Sequence, residues 1–262
     1  MAAETLGVDY ERVRAQVADT ESTGFCNVTG GSRTTFATGM AVTQACEDVI
    51  AECRKRAAMT WGLDEDQVEW EDGQAVPGPG VNADIKPLSL ADLAGKAAKT
   101  GGPIQGRASL NAQGAGASFS LNFGDLRVDQ ETGKVDVLSY TAVQDAGKAI
   151  HPAYVEGQMQ GGAAQGLGWA LNEEYIFNDE GVLENPGFLD YRIPVCSDLP
   201  MIDTAIVEVA NPSHPYGVRG VGEAPIVAPL AVATNAVSRA IDKRVSELPL
   251  SPPNVLEVID GD

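Results

Sequence analysis

Two histidines and four cysteines in 262 residues leave this sequence few nitrogen and sulfur ligands for a transition metal. Cys26, Cys46, Cys53 and Cys196 show neither paired short spacing nor companion histidines, which argues against zinc and iron-sulfur ligation by this chain. Cys46 and Cys53 fall on one face of an expected helix, where buried thiols are the simpler reading. His151 and His214 each precede a proline, a setting that predicts loop positions and carries no metal signature. Basic residues are scarce as well. There are 18 against 37 acidic ones, and the formal net charge of -19 argues strongly against a polyanionic partner such as nucleic acid. No run approaches the roughly 20 apolar residues that span a bilayer. The opening residues lack a basic region followed by an apolar one, so no membrane span is expected and a cytoplasmic location follows by default. Internal repeats and low-complexity segments are missing too.

What remains is ordinary globular material, 44% hydrophobic and 21% charged, enough to bury a sizeable core. We read residues 1–262 as one domain, with a subdivision into 1–80 and 81–262 left open. The first 17 residues predict the end of a helix, a turn at Gly7 and an extended segment around Val13 to Val17. This abrupt start suggests that an upstream part is supplied by another chain. Residues 23–38 are rich in Gly, Ser and Thr. They lead into a helix in which Val42, Ala45, Cys46, Val49, Ile50 and Cys53 recur at helical period, and Arg54, Lys55 and Arg56 are expected to close it against the helix dipole.

A strand pair is expected between Trp61 and the breaker Pro77, Gly78, Pro79, Gly80, then a short helix from Ser89 as cap to Ala98. Leu126 and Val128, then Val135, Val137 and Tyr140, flank Asp129-Gln130-Glu131-Thr132-Gly133 and predict a β-hairpin with a positive backbone angle at the glycine. Strand-like runs follow at Ile193 to Val195 and Ile206 to Val209. Helices and strands mix without a regular βαβ repeat, which favours the α+β class.

Three segments depart from scaffold. Gly30-Gly31-Ser32-Arg33-Thr34-Thr35 precedes the strong helix with successive backbone N–H groups and hydroxyls, the makings of an anion cradle or of a simple capped loop. Residues 157–168 carry glycines that would each cost about 0.8–1.0 kcal/mol relative to alanine inside a helix. Close approach of another helix or of a ligand would offset that cost, and Gln158 and Gln165 could present amides to a ligand. Last, Pro215-Tyr216-Gly217-Val218-Arg219-Gly220-Val221-Gly222-Glu223-Ala224-Pro225 delivers one carboxylate on three glycines to a helix start. An acidic residue there gains about 0.3–1 kcal/mol from the dipole, a gain that does not call for three glycines.

In order along the chain, these residues resemble the molybdenum hydroxylases, the family of xanthine dehydrogenase, aldehyde oxidase and aerobic carbon monoxide dehydrogenase. The resemblance covers nearly the whole chain. It is most specific in Val155-Glu156-Gly157-Gln158, Gln165-Gly166-Leu167-Gly168, Asp190-Tyr191-Arg192-Ile193-Pro194 and Gly217-Val218-Arg219-Gly220-Val221-Gly222-Glu223-Ala224-Pro225. It implies the C-terminal portion of the molybdenum-cofactor-binding domain of a large subunit, with Glu223 as the catalytic general base. It implies further that Gln158 hydrogen-bonds to a molybdenum-pterin cofactor (molybdopterin, as a dinucleotide), and that Gly31, Ser32, Arg33 and Thr34 belong to the loop binding that cofactor. No protein side chain is implied as a metal ligand. An arginine is not a fixed feature of the family's loop, and His151 stands where many relatives carry asparagine, a loop substitution expected to matter little.

Family large subunits are longer, with an upstream glycine-rich segment against the cofactor and substrate-selecting loops. The resemblance therefore implies a partner: a larger chain carrying that N-terminal part. Further electron-transfer partners are implied, an iron-sulfur subunit with 2Fe-2S clusters and an FAD subunit, since this chain has no cluster spacing and no dinucleotide fingerprint. The expected reaction hydroxylates a small molecule, an N-heterocycle, aldehyde or related substrate, with oxygen derived from water. Two other readings stand beside it: a non-catalytic cofactor-binding or maturation protein of the same fold, and an unrelated phosphate-binding module built on residues 30–34.

Overall fold

The computed structural model describes residues 1–21, 24–26, 28–81, 84–114 and 116–261; Thr23, at the head of the Gly/Ser/Thr-rich stretch, lies outside them. The chain forms two compact units, Met1–Gly30 with Thr34–Gly114, and Gly31–Arg33 with Ala115–Asp262. The first unit runs past the proline-glycine breaker, because the chain beyond it returns to the strands before it.

In the first unit a short α1 (Ala2–Leu6) ends at Gly7 in the left-handed conformation. The long α2 (Thr34–Trp61) carries the predicted helical stripe, with Cys46 and Cys53 buried as expected. Burial pushes the Cys53 thiol up to about 11, the behaviour of an inert core residue. Arg54, Lys55 and Arg56 do not close this helix. The Arg56 guanidinium turns sideways to Glu52 and to the carbonyls of Gly102 and Pro103. The helix runs on to Trp61, where Gly62 at φ 69° and the Leu63 N–H on the Ala58 carbonyl (3.0 Å) end it.

The expected strand pair is β1 (Val68–Glu71) with β2 (Gln74–Pro77), antiparallel, and β3 (Leu88–Ser89) adds to β2. Ser89 then caps α3 (Leu90–Gly95) in a reciprocal box with Asp92, and α4 (Ala97–Thr100) follows. Leu93 of α3 shares a core with Cys53, Ala57, Val68 and Ala75, which joins the segment after residue 80 to the unit before it.

The second unit holds the predicted hairpin, β4 (Ser120–Val128) with β5 (Val135–Asp145). Asp129 Oδ1 accepts the N–H groups of Glu131 and Thr132, and Gly133 takes φ 71°. Helix α5 (Pro152–Leu171) crosses to β6 (Ile202–Val207), which lies parallel to β5, and α6 (Ala224–Ile241) and α7 (Pro252–Asp260) complete the unit. Helices and a mixed sheet without regular alternation are an α+β architecture. The strand at 206–209 begins earlier and ends at Val207, and residues 193–195 form no strand: Ile193 and Val195 are exposed in an irregular loop. His151 is not a bystander either. It caps α5, its Nδ1 accepting the Tyr154 N–H (3.3 Å) with its ring stacked on Tyr154. His214 is buried and accepts the Tyr216 N–H (3.0 Å) in the turn predicted for it.

Contrary to the expectation of no apolar span, α6 is long and apolar enough to cross a membrane by length and composition. It packs by one face only: Ala233 and Val237 are fully buried in the core shared with α5 and the sheet, and 22% of the helix is buried in all. Contact with α5 accounts for two glycines. A β-carbon on Gly162 would stand 2.9 Å from Pro225 Cβ, and one on Gly166 2.5 Å from the Ile226 carbonyl oxygen. Helix packing is thus the reason at those two positions, whereas Gly157 and Gly161 face open space. Opposite effects follow. Gly161→Ala should stabilise the chain by about 0.8–1.0 kcal/mol through helix propensity, while Gly166→Ala should destabilise it by about 1–3 kcal/mol through overpacking. Urea denaturation of both variants checks the pair, and a stabilised Gly166→Ala would refute the packing argument.

Candidate functional site

Glu223 stands at the N-cap position of α6, yet its side chain caps nothing: its backbone is helical (φ -100°, ψ -21°) and its carboxylate makes no bond to the helix N–H groups. The dipole explanation therefore loses its usual geometry. Instead the carboxylate meets Ser32, a residue 191 positions earlier. The Ser32 hydroxyl donates to Glu223 Oε2 (3.0 Å) and accepts the Glu223 N–H (2.8 Å), so one side chain fixes both the backbone and the acid. Oε1 has no hydrogen-bond partner among the described residues, and Glu223 is exposed.

Ser32 achieves this from a left-handed backbone. Gly31 and Ser32 take φ 69° and 55° in succession, a conformation costing a serine on the order of 1–3 kcal/mol. Two glycines of the 217–223 loop admit the contact. A β-carbon on Gly220 would stand 3.0 Å from the Ser32 carbonyl oxygen, and one on Gly222 3.1 Å from Gln158 Oε1 and 3.3 Å from Ser32 Oγ. Gly222 is thus where Ser32 and Gln158 both close on the chain next to Glu223. The third glycine, Gly217, serves a turn at φ 68° against Ala210.

The loop is held from beneath by residues to which the sequence assigned no role: Arg219 within the motif, and Asp145, Asn211 and Gln144 outside it. Arg219 Nε pairs with Asp145 Oδ2 (3.1 Å) and donates to the Val209 carbonyl (3.0 Å), and its Nη1 donates to the Ala117 carbonyl (2.6 Å). Asp145 Oδ1 in turn accepts the N–H groups of Gly147 and Val209. Asn211 Nδ2 donates to the Val218 carbonyl, and Gln144 Nε2 to those of Gly220 and Val221. The available signal was polar residues on the inward face of a strand pattern: Gln144 shares a face with Tyr140 and Ala142.

Of the residues singled out from sequence, Gly31, Ser32, Gln158 and Glu223 belong to the second unit, and the last three meet around Gly222. Arg33 is exposed beside Ser32 in the same loop. Thr34 opens α2 and belongs to the first unit. Among the described residues no group of three or more His, Cys, Asp and Glu is arranged to hold a metal. A metal at this site would have to arrive with a ligand of its own. The open backbone of Gly31, where a β-carbon would meet nothing within 4 Å, and the amide of Gln158 suit a large polar ligand of that kind.

In this α+β unit a glycine loop, an amide and an oriented carboxylate meet around Gly222. The family model described as molybdopterin cofactor-binding domain matches residues 1–200, and the chain belongs to that family. It corresponds to part of the molybdenum-binding large subunit of the xanthine dehydrogenase family of oxidoreductases. The xanthine dehydrogenase molybdenum-binding subunit of Escherichia coli O157:H7 is 33% identical over 270 residues, covering 98% of this chain and 35% of that protein. The carbon monoxide dehydrogenase large chain of Hydrogenophaga pseudoflava is 30% identical over 242 residues, covering 90% of this chain and 30% of that one. Among solved structures, quinoline 2-oxidoreductase from Pseudomonas putida 86 superposes with a TM-score of 0.85 at 27% identity, over 99% of this chain and 34% of its own. The chain spans about a third of the length of these relatives.

Proposed function

We propose that this chain is the C-terminal portion of the large subunit of a molybdenum hydroxylase, with Glu223 as general base at a site completed by a larger partner chain. The observation that carries the reading is the Ser32 clasp: a carboxylate spared from capping, fixed through one oxygen and its own N–H, and open at the other oxygen. A base needs a defined lone pair within reach of the proton it takes, and this arrangement supplies one. Molybdenum-pterin, bound as a dinucleotide, would supply the two-electron redox chemistry of the reaction. The chain's own share would be to hold polar groups of that cofactor on the loop of Gly31, Ser32 and Arg33, to offer it the Gln158 amide, and to keep Glu223 fixed by Ser32 with Oε1 open.

The substrate class is an N-heterocycle, aldehyde or related small molecule with an electron-poor carbon, and electrons leave through iron-sulfur (2Fe-2S) and FAD subunits in the cytoplasm. Support for a partner comes from Leu121 and Phe123 of β4 and Phe119 just before it, all more than half exposed. Affinity purification of the chain expressed with its neighbouring genes tests the reading. Molybdenum and pterin should appear in about one-to-one ratio with a complex containing a larger chain. A chain that assembles with normal partners but carries neither metal nor pterin would show the non-catalytic alternative to be right.

A further inference from the structure

Gln144 is almost wholly buried, 1% exposed, on the inward face of β5 between Ala142 and Ala146. An amide in that setting costs on the order of 1–3 kcal/mol unless it is bonded. Among the described residues its bonds are all donated by Nε2, and Oε1 is buried with no hydrogen-bond partner. The two Nε2 hydrogens are shared among three acceptors, the Gly220 carbonyl (3.3 Å), the Val221 carbonyl (3.2 Å) and Ser118 Oγ (3.2 Å). The amide orientation is dictated by chemistry, since an oxygen in place of Nε2 would face two carbonyl oxygens.

Gly220 and Val221 are the residues just before Gly222 and Glu223. Glycine at 220 and 222 lets Ser32 and Gln158 approach but leaves this stretch no polar side chain with which to fix itself. Arg219 secures the loop upstream, and Ser32 secures the Glu223 end. Gln144 ties the carbonyls between them to the end of β5, the central strand of the sheet. We infer that Gln144 is a positioning residue for Glu223, setting through the Gly220 and Val221 carbonyls where the carboxylate stands. This rests on the proposed role of Glu223 as base. A shift of about 1 Å at a reacting group can cost up to about a hundredfold in rate, so a loose loop should be felt in turnover before it is felt in binding.

The test uses the complex purified with its partner chains. Gln144→Met keeps the length and volume of the side chain and removes the donor. It should lower kcat about tenfold, with KM within about twofold and molybdenum content unchanged. Gln144→Asn, which keeps a buried amide but is too short to reach the carbonyls, should behave alike and covers the case in which Gln144→Met does not assemble. A residue acting through Glu223 should add nothing once the base is gone, so Gln144→Met in a Glu223→Gln background should leave the residual rate unchanged. Wild-type kcat in the Gln144 variants, a loss of kcat that tracks loss of metal, or a further tenfold loss in the double variant would each overturn the inference. Normal turnover in Glu223→Gln alone would instead overturn the assignment of the base.

Discussion

Replacing Glu223 by glutamine should lower turnover of the assembled enzyme by about 10²–10⁴-fold, the usual contribution of a general base, while the molybdenum content stays at the wild-type level. The geometry makes this a clean substitution. The Ser32 hydroxyl can still donate to an amide oxygen in the place of Oε2, and it still accepts the backbone N–H of residue 223, so the loop keeps its path. What the amide lacks is a basic lone pair at the position of Oε1. Because Glu223 is exposed and caps nothing, the stability of the chain should change by less than about 0.5 kcal/mol. Ser32→Ala is the informative companion. It leaves the carboxylate and removes its orientation, so turnover should fall by about tenfold, well short of the effect of Glu223→Gln. Steady-state kinetics with metal analysis of the same preparations decides the matter, and turnover within twofold of wild type in Glu223→Gln would remove the base from the mechanism.

The largest loss of stability should come from Arg219→Met. Arg219 and Asp145 have side chains only 13% and 12% exposed, so solvent screens their pairing little. Removing the guanidinium strands a carboxylate among backbone groups and also deprives the Val209 and Ala117 carbonyls of their donors. Breaking a pair of this kind costs about 3–5 kcal/mol, a large part of the roughly 5–15 kcal/mol by which domains are stable. Arg219→Lys keeps the charge but loses the fork that serves three acceptors, and should fall between the two. Urea denaturation followed by tryptophan fluorescence or circular dichroism gives the difference. A loss below about 1 kcal/mol in Arg219→Met would mean that the pair is not a structural clasp.

Several elements were legible because their causes lie within a few residues. The hairpin at 129–133 closes on its own aspartate and glycine, α3 starts at a serine whose box partner is three residues on, and the stripe of α2 buries Cys46 and Cys53 as its period requires. Where a local rule failed, a distant group had intervened. The Arg56 charge that suited a helix end goes to Glu52 and to two carbonyls from the 102–103 turn, and α2 continues without it. The apolar run at 193–195 has no neighbouring strand to complete it and stays in a loop.

The candidate site divides in the same way. The sequence by itself determined that Glu223 would sit on a glycine loop at a helix start, that Gly31 and Ser32 would lie in a loop just before α2, and, through the order of four motifs, the family to which the chain belongs. Only the tertiary structure decided that Ser32 holds Glu223 across 191 residues, that Gly162 and Gly166 serve helix contact while Gly222 lies against Gln158, and that Gln144, Asp145 and Arg219 carry the loop from below. The reason is physical: turns, caps and periodic faces are set by the chemistry of adjacent residues, whereas the partner of a buried amide or of a carboxylate is set by whichever element the folded chain brings within about 3 Å of it.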